Sequence, residues 1–111
     1  MPKELNFIFS LSPDLEDRIR ISAFKEKKKI IKFVVQYESF IRKKWRPIIR
    51  YDTSHGFAHK DIIHPNGKEE KQPLYFPNYT TAFTFAIQDL KISWQWYKNG
   101  YEEELKNAKE K

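Results

Sequence analysis

Ile31-Lys32-Phe33-Val34-Val35-Gln36-Tyr37-Glu38 sets Ile31, Phe33, Val35 and Tyr37 against Lys32, Val34, Gln36 and Glu38. That is the two-residue period of a half-buried strand. Upstream, Asp17-Arg18-Ile19-Arg20-Ile21-Ser22-Ala23-Phe24 repeats the alternation, with Ile19, Ile21 and Ala23 on the apolar side. Lys25-Glu26-Lys27-Lys28-Lys29 joins the two as a charged hairpin connection. Further back, Leu5-Asn6-Phe7-Ile8-Phe9-Ser10-Leu11 places Phe7, Phe9 and Leu11 on one side when extended, as a strand or a clamp over the core. Ser12-Pro13-Asp14 stops it, and a serine before proline and acidic residues also reads as the start of one helical turn over 13–17.

Downstream, Arg42-Lys43-Lys44 leads into a strand over 45–52, where Pro47, lacking an N–H, belongs near the start or at an unpaired edge position. A loop over 53–56 turns the chain into a strand over 57–64, Pro65-Asn66-Gly67 is a hairpin turn, and Gln72-Pro73-Leu74-Tyr75-Phe76 is an edge-like last strand. From Asn78 the period changes. Phe83, Ala86, Ile87, Leu90, Trp94, Tyr97 and Tyr101 recur at three- and four-residue steps, one face of an amphipathic helix capped by Asn78, Thr80 or Thr81. Asn99-Gly100 either ends that helix or is carried through it at about 1 kcal/mol.

The expected architecture is α+β: an antiparallel β-meander of about four to five strands packed by one long C-terminal α-helix. It reads as a single domain over 1–111, divided into an N-terminal segment (1–16), the meander (17–76) and a helical part (78–108). Antiparallel strands sort the connections to two ends. The turn at 25–29, the loop at 53–56 and the helix start share one end, and the turns at 42–44 and 65–67 share the other.

Without cysteine there is neither a disulfide framework nor a thiolate ligand nor a cysteine nucleophile. The N-terminus does not read as a signal peptide, and no apolar run approaches the roughly 18 residues of a membrane span. A cytoplasmic location and no membrane partner are expected. The net charge of +6 favours anionic partners. Abundant lysine and isoleucine with scarce glycine are compatible with a thermophilic source.

Chemistry concentrates in Arg50-Tyr51-Asp52-Thr53-Ser54-His55-Gly56-Phe57-Ala58-His59-Lys60-Asp61. Arg50 and Asp52 share a strand face, as do His59 and Asp61, so the four converge if the register allows. As a catalytic site, Arg50 holds an anion, Asp52 and His59 form an acid/base pair, and His55 stands on the loop above. As a structural surface, Arg50 pairs with Asp52 or Asp61, and Gln36, Glu38 and Asp61 complete a polar network. Lys27, Lys28 and Lys29, with Arg50, are the candidate anion-binding residues, close to the helix start whose free N–H groups favour anions. His55, His59 and His64 lack the spacings specific to zinc sites, and His64 points away from His59, so no metal and no cofactor is expected. Trp96 lies off the helical stripe and either extends the contact or marks a homodimer surface.

The strings Val35-Gln36-Tyr37-Glu38, Trp45-Arg46-Pro47-Ile48-Ile49-Arg50-Tyr51-Asp52-Thr53-Ser54-His55-Gly56-Phe57-Ala58-His59-Lys60-Asp61 and Ala86-Ile87-Gln88-Asp89-Leu90-Lys91 with Trp94 resemble a small uncharacterised family of bacteria and archaea. The resemblance runs from about residue 17 to about residue 105 and brings no activity with it. The Arg-Tyr-Asp and His-Gly core is also similar, more distantly, to the TumE group of toxin-antitoxin components. That likeness implies a small toxin-like protein acting on RNA beside a protein partner, with Arg50, Asp52, His55 and His59 as its active region. Two expectations follow. One is a basic binding or assembly module whose polar surface holds an anionic ligand, and the other is a toxin-like ribonuclease or other phosphate-directed enzyme. Exposed, converging Arg50, Asp52 and His59 favour the enzyme; a paired network without a cleft favours the module.

Overall fold

The computed structural model describes residues 1–109. Its strands are β1 (Lys3–Ser10), β2 (Asp17–Glu26), β3 (Lys29–Ile41), β4 (Lys44–Asp52), β5 (His59–Ile63) and β6 (Glu69–Pro73), followed by α1 (Tyr79–Lys109). All neighbours are antiparallel and the spatial order is the chain order, so the sheet is a pure meander. The α+β class is as the periodicities predict, but the strands number six rather than four to five. The extra strand is the N-terminal segment, which pairs along its whole length from Lys3 opposite Lys25 to Ser10 opposite Arg18.

Three local expectations are corrected. The chain forms no helical turn over 13–17. Ser12 instead closes a tight bend, donating from Oγ to Asp14 Oδ1 at 2.6 Å and accepting from the Asp17 N–H at 3.2 Å, with Leu15 at φ 64°. The last strand comes earlier than 72–76, because Leu74 leaves the sheet to donate its N–H to the Ala58 carbonyl at 2.9 Å. A bulge between Phe24 and Lys25 pairs Lys25 with Ile30, so Ile30 is buried and Ile31 exposed, the reverse of strict alternation.

Ile19, Ile21, Ala23, Phe33, Val35, Tyr37, Ile49 and Tyr51 form the buried face of the sheet, and α1 lays Ala82, Ala86 and Leu90 on it. The two alanines remove side-chain bulk where helix and sheet meet. Asn78 is the cap: its Oδ1 accepts from the Thr81 N–H at 2.8 Å. Thr80 Oγ1 accepts the Ile30 N–H at 3.0 Å, tying the helix start to β3. The helix runs on through Gly100, whose Cβ position would meet open space. Among the described residues no helix is long and apolar enough to cross a membrane.

Two polar clusters fasten α1 to the sheet from within the interface. Asp17, 1% exposed, accepts from Tyr37 Oη and Ser39 Oγ, each at 2.7 Å, and from Lys98 Nζ of the helix at 3.2 Å. Asp89 of the helix accepts from Tyr51 Oη at 2.5 Å and Tyr97 Oη at 2.6 Å, and Lys60 Nζ donates to Tyr97 Oη at 2.6 Å. Burial, and then the hydrogen bonds to these carboxylates, push the Tyr37, Tyr51 and Tyr97 phenols far above their ordinary value of 10.0. A raised folded-state value stabilises the native chain below pH 10, and the contribution is lost as the pH climbs above it. Phenolate absorbance should therefore show Tyr37, Tyr51 and Tyr97, three of the six tyrosines, ionising only together with unfolding at high alkali. Smooth ionisation of all six near pH 10 in a folded chain would contradict the interface.

Candidate functional site

The sheet face turned away from α1 carries the polar residues. Pairing places Arg20 opposite Gln36, Gln36 opposite Arg50, Arg50 opposite Asp61 and Asp61 opposite Lys71. One row therefore crosses five strands. In the next row toward the 53–58 connection, Val34, Asp52, His59 and Pro73 stand side by side. Arg50, Asp52, His59 and Asp61 thus share a face, the convergence that register permits and sequence alone cannot demonstrate.

Most members of this face hold one another. Glu38 accepts from Arg18 Nε at 2.8 Å and Gln36 Nε2 at 2.5 Å, with Arg20 Nε at 3.4 Å. Burial works to raise the Glu38 carboxyl, but the Arg18 and Gln36 hydrogen bonds and the Arg20 charge prevail and hold it below the ordinary range. Arg50 donates from Nε to Gln36 Oε1 at 2.8 Å and from Nη1 to Glu69 Oε1 at 3.3 Å. Neither Asp52 nor Asp61 is its partner. Asp61 instead accepts from Lys71 Nζ at 3.0 Å. Glu69 and Lys71 escape the sequence reading because the exposed polar run of β6 carries no apolar alternation to mark a strand.

His59 is 0% exposed. Its Nδ1 lies 3.3 Å from the Phe57 carbonyl, its Nε2 lies 2.8 Å from Asp52 Oδ1 and 3.5 Å from Asp61 Oδ2, and among the described residues Nε2 has no hydrogen-bond partner. The short Asp52 contact is thus off the axis along which an Nε2–H would point. Ser54 orients Asp52 from above, donating its N–H and Oγ to Oδ1 at 3.0 and 2.8 Å. The Phe57 and His55 rings lie 5.3 and 6.1 Å from the His59 ring and roof it. His55 itself is exposed, at φ 68° in the short 3-10 turn Ser54–Gly56.

Lys27, Lys28 and Lys29 stand apart from this cluster, exposed on the β2–β3 turn at the same end of the sheet. Among the described residues none of them forms an ion pair. Lys28 and Lys29 line a cleft of about 370 Å³ with Asn78, Thr80 and Thr81 of the helix start.

A family model described as a domain of unknown function, DUF7718, matches residues 1–107. The chain belongs to the DUF7718 family. The expectation of an uncharacterised family holds at that level. No curated protein and no solved structure matches the chain.

In this DUF7718 chain the third histidine faces elsewhere. His64 contacts Glu104 of α1 through Nδ1 and Glu70 of β6 through Nε2, each at 2.8 Å. The Glu104 bond, more than the opposing burial, raises the imidazole above its ordinary value of 6.5, with Glu70 assisting. A raised value means the tie is complete below pH 6.5 and is lost as the pH rises through the folded-state value. Thermal melts across that window should show the native chain losing melting temperature relative to a His64→Ala variant, less so at high salt because both glutamates are exposed. Parallel pH profiles would remove the tie.

Proposed function

We propose that this DUF7718 chain is a non-catalytic binding module that holds a phosphate-bearing ligand where the β2–β3 turn meets the N-terminus of α1. The observation that carries the reading is the shared cleft: two unpaired lysines, Lys28 and Lys29, stand beside the first turn of a 31-residue helix. Lys27 adds a third cation on the same turn. Free helix N–H groups and unpaired ammonium groups act on an anion in the same sense. The chain's net charge of +6 works in that direction as well.

On this reading the Arg50–Asp61 region is framework. Arg50 is engaged by Gln36 and Glu69, and His59 is sealed beneath the loop, so neither offers a substrate an open position. A ribonuclease built on Arg50, Asp52, His55 and His59 needs His59 in reach of a proton on the RNA. The paired network speaks for the module.

Fluorescence anisotropy with a labelled single-stranded oligoribonucleotide, repeated over a salt series, tests this. Replacing Lys27, Lys28 and Lys29 by alanine should lower the slope of log affinity against log salt by about 0.7 per lysine. An unchanged slope would overturn the assignment. Shortening of the RNA by the native chain, abolished in an Arg50→Ala, His59→Ala double variant, would replace the module by the ribonuclease.

A further inference from the structure

We propose that Asp52, His59 and Asp61 form a binding site for one divalent first-row transition cation, of the zinc or manganese type. The three are drawn from β4 and β5, and one ligand atom from each lies within 4.8 Å of the other two. All three residues are buried, at 7%, 0% and 2% exposure.

The imidazole geometry is that of a ligand. With the Nδ1 proton donated to the Phe57 carbonyl, Nε2 is a buried, unpartnered acceptor 2.8 Å from Asp52 Oδ1 and 3.5 Å from Asp61 Oδ2. A second ring nitrogen fixed by a backbone carbonyl is the usual support for a metal-bound histidine. The position of Asp52 Oδ1, 2.8 Å from Nε2 yet not hydrogen-bonded to it, suits a co-ligand, because a metal bound to Nε2 would take the axis of the ring nitrogen. Two ligand atoms bound at about 2.0–2.2 Å around a tetrahedral or octahedral ion stand about 2.8–3.6 Å apart. The two Nε2–carboxylate separations, 2.8 and 3.5 Å, fall in that interval.

Charge points the same way. Lys71 neutralises Asp61 through Oδ1 and leaves Oδ2 toward the imidazole. Asp52 receives two hydrogen bonds from Ser54 and, among the described residues, has no lysine or arginine partner. Buried carboxylates are paired or coordinate metals, and of these two only Asp61 has an ammonium partner among the described residues. One nitrogen and two oxygen ligands suit zinc or manganese, and the absence of sulfur disfavours soft ions such as copper(I). The ion would join β4 to β5 and anchor the loop that roofs His59. Sequence spacing hides the site because its ligands come together only across the strand pair.

The test is equilibrium dialysis of the chelator-stripped 111-residue chain against zinc, with metal counted per chain. The native chain should retain one zinc and gain melting temperature. Asp52→Asn and Asp61→Asn, which preserve shape, should each weaken binding at least tenfold, whereas His64→Ala should bind as the native chain does. Should the asparagine variants fail to fold, the imidazole 15N shifts of the native chain decide. Zinc should move the His59 Nε2 resonance while Nδ1 stays protonated. No zinc retained by the native chain, native-like binding by a folded Asp61→Asn, loss of binding in His64→Ala, or an unmoved Nε2 resonance would each overturn the site. The lysine turn is untouched by these variants, so failure here is distinguishable from failure of the phosphate reading.

Discussion

The pairing of β4 with β5, in which Arg50 faces Asp61 and Asp52 faces His59, is the constraint on which the polar half of the molecule depends. Side chains alternate along a strand, so a slip of one residue would send these four groups into the apolar interface and bring Ile49, Tyr51 and Ile62 out. The register is held from both sides. Tyr51, between Arg50 and Asp52, is 0% exposed and reaches Asp89 of the helix, while Thr53 ties the strand end to β3 by donating its N–H to the Phe33 carbonyl at 3.2 Å and accepting the Phe33 N–H on its side-chain Oγ1 at 3.0 Å. Burying a polar cluster outside the main core is tolerable only because nearly every group in it has a partner. The His59 Nε2 atom is the exception, and it lies where three strand residues could share a cation.

The helix face follows a different economy. Apolar contact with β3 and β4 supplies the bulk of the interface, and the carboxylates of Asp17 and Asp89 add polar ties between sheet and helix through Lys98 and Tyr51. Those hydroxyls would be expensive to bury without acceptors. The Thr80 hydroxyl, accepting the Ile30 N–H, brings the helix N-terminus beside the lysine turn.

Much of the fold was legible because its signals are local. Alternation marked β2 and β3, the shift to a three- and four-residue period marked α1, and Pro65-Asn66-Gly67 marked the β5–β6 turn. What escaped depends on distant partners. Leu5-Asn6-Phe7-Ile8-Phe9 reads equally as strand or clamp until Ile19 and Ile21 are seen opposite Phe9 and Phe7. The polar run Glu69-Glu70-Lys71 has no apolar alternation, since β6 is an exposed edge, and so gave no strand signal. At the site, the common face of Arg50 and Asp52 was readable from period two. The roofing of His59 by Phe57, the Arg50–Glu69 contact and the approach of Asp61 to His59 required the cross-strand register and the loop path.

The juxtaposition of Asp52 and His59 across the β4–β5 pair is measurable in solution. A double-mutant cycle with Asp52→Asn and His59→Gln, followed by urea unfolding in the presence of chelator, isolates the coupling between the two side chains from their separate effects. The β4–β5 register predicts a coupling energy of about 0.5–3 kcal/mol in magnitude, the range for residues in contact. Additivity within about 0.5 kcal/mol would mean the two side chains act independently and would contradict it.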